Sequence, residues 1–353
     1  MYDLDIKFIE KNELAKFVNE LNTKYNIYAP VKVDDIIDYR KITDASDIVP
    51  KFFNSVVPPK KVLFPQKEIL FKFRYVNNKI QLNDVSPEIN NTILLFIRNC
   101  DAQGIKILEN FFGQTPHKDK FFLERRKKCV IIGLACNKPR STCFCTSVGG
   151  SPFGEEFFDI IFIDLTDKFL IKGISEKGKK LLDSIGWLRD ASLIDIQKID
   201  ELSEKAKASI KFNININEIK DILDNLYDDP LWSELGQVCI GCGTCAFLCP
   251  TCSCFDVIDE RLTKTEGQRV RIWDTCQFSL FTLHGSGHNP RPTKKERTRQ
   301  RIYHKFNYYP KNYDLIGCVG CGRCILYCPT NSDIRETLKE ICKKSEIIKD
   351  IVV

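Results

Sequence analysis

Two stretches in the last third of the chain carry the same arrangement of thiols: Cys239-Ile-Gly-Cys242-Gly-Thr-Cys245-Ala-Phe-Leu-Cys249-Pro250 and Cys318-Val-Gly-Cys321-Gly-Arg-Cys324-Ile-Leu-Tyr-Cys328-Pro329. Thiolates are soft ligands that suit zinc, copper(I) and iron-sulfur clusters, and the spacing selects among these. In C-x2-C-x2-C-x3-C-P, three thiolates from a tight loop hold one 4Fe-4S cluster and the fourth reaches the partner cluster. On that pattern Cys239, Cys242, Cys245 and Cys328 hold one cluster, and Cys318, Cys321, Cys324 and Cys249 hold a second. Zinc sites are more often written as two C-x2-C pairs across a long spacer, with four ligands in all. Glycines fill the gaps of both runs, at Gly241, Gly243, Gly320 and Gly322, and let backbone N-H groups approach cluster sulfur.

Four further thiols, Cys100, Cys136, Cys143 and Cys145, lie just after short apolar runs or in the loop between them. Strand-end loops are where open α/β sheets assemble ligand sites, and four thiolates satisfy one more 4Fe-4S cluster. The competing reading is four buried reduced cysteines, a common fate of this residue. Cys252, Cys254 and Cys276 are extra thiols near the first motif, able to replace an assigned ligand or to stand behind a cluster and tune it. Cys129 reads as core packing and Cys342 as incidental.

The elements that must position these thiols are legible in outline. Ile93–Ile97, Val130–Leu134 and Asp159–Ile163 are apolar without alternation, the pattern of a buried parallel sheet. Asn12–Leu21 reads as a helix with Leu14, Phe17, Val18 and Leu21 on one face, Ile27–Val33 as a strand, and Ile105–Phe112 as a helix. The expected fold is α+β: an N-terminal α/β domain with a small sheet over residues 1–215, a helical linker over 216–236, and a ferredoxin-like dicluster domain over 237–342. Sixty-eight residues separate Cys249 from Cys318, so a helical insertion over 255–315 must fold beside the clusters; 343–353 is a tail.

Composition bounds the function. The 353 residues are 43% hydrophobic, enough for two or three ordinary cores. Seventeen cysteines would suit a disulfide scaffold in a small secreted protein, but the acidic start Met-Tyr-Asp-Leu-Asp-Ile-Lys lacks the apolar run of a signal peptide. The expected compartment is therefore the reducing cytoplasm. No stretch of about 18 uncharged apolar residues exists, so no membrane insertion is expected. The net charge of +6 favours neither nucleic acid nor membrane. The exception is local: Arg291, Lys294, Lys295, Arg297, Arg299, Arg301, Lys305 and Lys311 interleave with Tyr303, Phe306, Tyr308 and Tyr309. Such a stretch could bind RNA, but a helix that offsets cluster charge or docks an acidic partner is the more economical reading. Neither an activated nucleophile nor a phosphate loop nor a dinucleotide fingerprint is present, so no catalytic residue is assigned.

With these residues in view, the chain resembles the iron-sulfur beta subunits of cytoplasmic NiFe sulfhydrogenases and the related A subunit of anaerobic sulfite reductases. The marks are Ala29-Pro30, Asn54-Ser-Val-Val-Pro-Pro-Lys60, Phe64-Pro-Gln-Lys-Glu68, Arg98-Asn-Cys100-Asp101, Thr142-Cys-Phe-Cys145, Cys249-Pro-Thr-Cys252-Ser-Cys254-Phe-Asp256 and His288-Asn-Pro-Arg291-Pro-Thr293. The resemblance spans nearly the full length. It implies a non-catalytic electron-transfer subunit of a hetero-oligomeric anaerobic oxidoreductase, with a third cluster in the first domain. Its implied partners are a flavin-containing NAD(P)H-linked subunit and a catalytic subunit bearing NiFe or siroheme. Two rival classes are a self-sufficient iron-sulfur reductase of thiols or disulfides, working near Cys252, Cys254 and Cys276, and an iron-sulfur nucleic-acid-binding protein.

Overall fold

The computed structural model describes residues 5–77, 79–86, 89–114, 116 and 118–351. Their strands, in chain order, are β1 (Ile6–Glu10), β2 (Asn26–Val33), β3 (Ile36–Lys41), β4 (Lys67–Val76), β5 (Lys79–Asp84), β6 (Thr92–Ile97), β7 (Cys129–Leu134), β8 (Ile160–Asp164), β9 (Lys168–Gly173), β10 (Arg189–Asp190), β11 (Phe255–Arg261) and β12 (Glu266–Trp273). The chain forms two compact units, neither continuous in sequence. One comprises Met1–Lys60, Ile89–Ile216 and Cys318–Arg323; the other comprises Lys61–Glu88, Asn217–Gly317 and Cys324–Val353.

The first unit is built on an eight-stranded sheet of order β10-β1-β9-β8-β7-β6-β2-β3. Its centre, β8-β7-β6-β2, is parallel, and the flanking strands are antiparallel. The three unalternated apolar runs become β6, β7 and β8. Every residue of β7 is buried, including Cys129, as strands covered on both faces require. The helix Leu14–Asn22 buries Leu14, Phe17, Val18 and Leu21, and Phe17 meets Phe162 at 5.3 Å between ring centroids.

The exit of β6 is bent. Phe96 takes φ +60°, and the pairing with β7 slips between Leu95 and Ile97. An aromatic residue seldom occupies this region. Here its ring is held by Phe162 and Phe169, and its carbonyl accepts the Tyr39 hydroxyl at 2.9 Å. Bulges of this kind re-aim a strand next to functional sites. This one turns the chain into Arg98-Asn99-Cys100-Asp101, where the helix Asn99–Gln114 begins, six residues before the expected Ile105 start.

In the second unit, β11-β12-β4-β5 form an antiparallel sheet. The expected helical insertion at 255–315 is therefore corrected: its first half is the β11–β12 hairpin and only its second half is helical. The hairpin is a strand pair because β12 has a partner from far upstream. A buried Arg271–Glu68 ion pair fixes its register on β4, and the Trp273 indole N-H donates to Phe64 O at 3.1 Å. That pairing also draws residues 61–88 out of the continuous domain 1–215 expected from the sequence and into this unit. Residues 343 onward, expected as a tail, continue the helix Ile334–Ile351.

Helices fill the rest of this unit. Trp232, in the helix Leu231–Gln237, is fully buried and donates to Leu226 O at 2.6 Å. Gly236 lets the basic helix Lys294–Tyr303 approach closely, since a Cβ there would lie 3.0 Å from Lys295 N. A capping box starts that helix: the Thr293 hydroxyl accepts from Lys295 N-H, and Thr293 N-H donates to the Glu296 carboxylate at 2.9 Å. It runs on into a π-helical stretch, His304–Tyr308, a form that recurs at functional sites.

Candidate metal centres

Cys100, Cys136, Cys143 and Cys145, drawn from three places in the sequence, line one cavity in the first unit, together with Asn54, Arg98, Arg140, Gly320 and Cys321. Cys100 lies in the first turn of its helix, and Cys136 follows β7 with its N-H bonded to Pro152 O. The Cys143–Cys145 loop is pinned by the second motif: Phe144 N-H donates to Gly320 O at 2.8 Å. Gly320 (φ +61°) and Gly322 (φ +74°) admit no side chain. A Cβ on the first would stand 2.5 Å from Cys145 N, and on the second 2.4 Å from Thr142 Oγ1. Asn54 Nδ2 donates to Cys321 O at 3.1 Å. The sequence assigns Cys321 to the second motif alone; it is also the fifth thiol around this cavity.

Charge around the cavity is arranged with care for burial. Arg98 spends its guanidinium on the carbonyls of Phe52, Phe53, Leu134 and Ala135. Arg323, fully buried, forms a two-bond pair with Asp101 at 2.7 and 2.9 Å and donates to Ser55 O at 2.7 Å. For the thiols, burial outweighs the nearby cations. Burial, Asp101 and Cys321 push Cys100 well up. Burial and Cys136 raise Cys143 to about 11, and burial with Cys143 and Cys136 raises Cys145 to about 12. Burial also raises Cys136, with Arg98 opposing. Crowded buried thiols of this kind become thiolates only beside a strong positive charge, which iron supplies. Arg140 Nε, buried at the wall, has no acceptor among the described residues, as suits a donor to cluster sulfide. The residues fit a 4Fe-4S cluster.

In the second unit, Cys242 is exposed, and Cys239, Cys245, Cys249, Cys324 and Cys328 are partly buried. Gly241 and Gly243 take φ of +71° and +76°, which turns the motif loop so that Gly241 N-H meets Cys239 Sγ at 3.4 Å. Ser332 N-H meets Cys328 Sγ at 3.3 Å. Such N-H groups help set a cluster's potential. Cys318, buried, belongs to the first unit with Cys321.

The basic stretch 291–311 turns its key cations inward, toward thiols. Lys305, 5% exposed, donates to Thr251 Oγ1 and Gly317 O, both at 2.9 Å, and reaches Cys249 Sγ at 3.3 Å and Cys252 Sγ at 3.7 Å. The charge of Arg301 is felt by Cys245, Cys324, Cys249 and Cys252, and its buried Nε has no hydrogen-bond partner among the described residues. This is the geometry of charge compensation for an anionic cluster and departs from an RNA-binding face, whose cations meet solvent. Arg297 likewise is buried, bonded to the carbonyls of Arg291 and Pro292. His304 packs against the tilted ring of Tyr309 at 5.0 Å and is pushed down to about 4 by burial and Lys305, so its ring is neutral.

Of the three extra thiols, one pairs with a motif cysteine and two pair with each other. Cys252 lies against Cys249, with which it shares a hydrogen bond. Cys276 takes a hydrogen bond from Cys254, which, with the Gln277 amide and the charges of Arg301 and Lys305, draws it down to about 6. Among the described residues no three Cys, His, Asp or Glu side chains converge tightly enough to share a single metal ion. A cluster of four irons spreads its thiolates over a larger body and makes no such demand.

Fold and thiols together define an iron-sulfur protein of the two-cluster class with an added α/β unit, and the comparisons agree. A family described as "4Fe-4S dicluster domain" matches residues 238–332. Sulfhydrogenase 2 subunit beta of Pyrococcus furiosus is 31% identical over 330 residues, covering 92% of this chain and 95% of that protein. The chain belongs to the family of these sulfhydrogenase beta subunits, iron-sulfur proteins of electron transfer. No solved structure matches it. Among the described residues no helix is long and apolar enough to cross a membrane.

Proposed function

We propose that this chain is the electron-relay subunit of a hetero-oligomeric oxidoreductase and carries three 4Fe-4S clusters. The eight motif cysteines hold two of them, and Cys100, Cys136, Cys143 and Cys145 hold the third. Its partners on this reading are a flavin-containing, NAD(P)H-linked subunit and a catalytic subunit of the NiFe or siroheme type. The observation that carries the proposal is the single cavity lined by the four N-terminal cysteines and Cys321. It brings the N-terminal thiols to a residue of the second motif, as a relay needs. Iron and acid-labile sulfide analysis of anaerobically purified chain is expected to give about twelve iron, and Cys143→Ser about eight. A wild-type value near eight would remove the third cluster.

The Cys254–Cys276 pair supports a second reading, reduction of thiol or disulfide substrates by the chain alone. Turnover of a small disulfide by the isolated chain with an artificial donor, lost in Cys276→Ser, would favour it over the relay.

A further inference from the structure

The first unit holds a second cavity, about 330 Å³, at the carboxyl ends of β7 and β8. Its size is that of a small-molecule site, and open α/β sheets bind ligands at this end of their strands. Phe52, Phe53 and Leu134 give it apolar walls, and Lys51, Asn137 and Lys138 give it polar ones. Two other charged groups at the cavity are already engaged. Arg98 is bonded to its four carbonyls, and Asp164 accepts from the Lys11 ammonium at 2.5 Å and from Thr166 N-H at 2.7 Å. Asn137 is not fully engaged. Its Nδ2 donates to Asp164 O at 2.7 Å, while its buried Oδ1 has no hydrogen-bond partner among the described residues. An unmet buried acceptor is destabilising, and a ligand N-H would relieve it. Lys51 and Lys138 are exposed and bring positive charge to the cavity wall that holds that acceptor.

We propose that this cavity binds a planar heteroaromatic anion: a ring with an N-H donor for Asn137 Oδ1, apolar faces for Phe52 and Phe53, and a phosphate-type substituent for Lys51 and Lys138. An inorganic oxyanion alone would leave the phenylalanine walls unfilled. Phe53, Arg98 and Lys138 line both this cavity and the thiol cavity. A redox-active ring would thus lie one layer of side chains from the third cluster, a consequence that rests on the relay reading, whereas binding itself does not.

The test is a titration of the full-length, anaerobically purified chain with flavin mononucleotide, followed by calorimetry. One saturable site is expected. Lys51→Gln and Asn137→Leu should each weaken it about tenfold, the size of a lost charge-assisted or buried hydrogen bond, with iron content unchanged. Riboflavin, without the phosphate, should bind more weakly and ignore Lys51→Gln. Absence of flavin mononucleotide binding, binding untouched by both substitutions, or equal competition by inorganic phosphate would overturn the proposal. Retained binding in Cys143→Ser separates this site from the third cluster.

Discussion

Arg323 stands where the first motif has Thr244, and a free cation there would raise the potential of the adjacent cluster. It is not free. Asp101 neutralises it, and Ser55 takes its remaining bonds. Its first role is therefore to tie the second motif to the residue beside Cys100. Removing one member of a buried pair strands the other charge, at about 3–5 kcal/mol, whereas replacing both with apolar residues is often near neutral. Anaerobic urea unfolding should show Arg323→Thr and Asp101→Ala each destabilised by about that amount, with the double variant Arg323→Met/Asp101→Leu recovering most of it. Lys305 is the cation that does bear on clusters directly, at 3.3 Å from Cys249 Sγ. Its loss makes adding an electron to an anionic cluster harder. Lys305→Met should lower the midpoint potential of one cluster by tens of millivolts, about 59 mV being tenfold for one electron, and Lys305→Arg should shift it less. A redox titration followed by electron paramagnetic resonance reads both.

Two loops, Cys143–Cys145 and Cys318–Arg323, make one element of the first unit, because Gly320 and Gly322 let their backbones touch. A side chain at either glycine meets backbone or a hydroxyl below 2.7 Å and forces a left-handed residue, itself a cost of about 1–2 kcal/mol. Gly320→Ala should therefore cost about four iron per chain while the visible spectrum of the remaining clusters persists, a loss read by iron and sulfide analysis. How much of this was legible varied with its physical origin. The motifs were, because ligand spacing is local. The three central strands were, because burial on both faces leaves unalternated apolar runs. The contact of Gly320 with Phe144 was not, since nothing in a glycine marks its neighbour across the chain, and neither was the Arg323–Asp101 pair. The β11–β12 hairpin was missed for a related reason. Its segment Phe255-Asp-Val-Ile-Asp-Glu-Arg has no covered apolar face of its own and pairs with β12, which in turn is held by β4 from far upstream in the chain.

At the scale of the molecule, a relay needs a buried interior for its clusters and at least one cluster near solvent where a partner can dock. Cys242 is the exposed thiol of the twelve assigned as ligands. Around the first motif lie Val238, Ile240, Phe278, Leu280 and Leu283, all exposed, with Ile240 at 59% and Leu280 at 71%. Their two segments meet where a Cβ on Gly243 would touch Phe278, at 3.1 Å. Single exposed apolar residues are ordinary, but a group of them beside a ligand thiol matches the apolar centre of a protein interface. On the proposed function this face receives the partner that exchanges electrons with the first cluster. Placing a charge at the centre of such a face costs about 2 kcal/mol or more of binding. The double variant Ile240→Lys/Leu280→Lys should therefore release the chain from the complex that copurifies with it and slow electron exchange with that partner at least tenfold. Iron content and reduction of the isolated chain by dithionite should stay unchanged, because both residues are more than half exposed. If the complex forms and exchanges electrons as before, the first motif faces solvent in the assembly and the partner enters elsewhere.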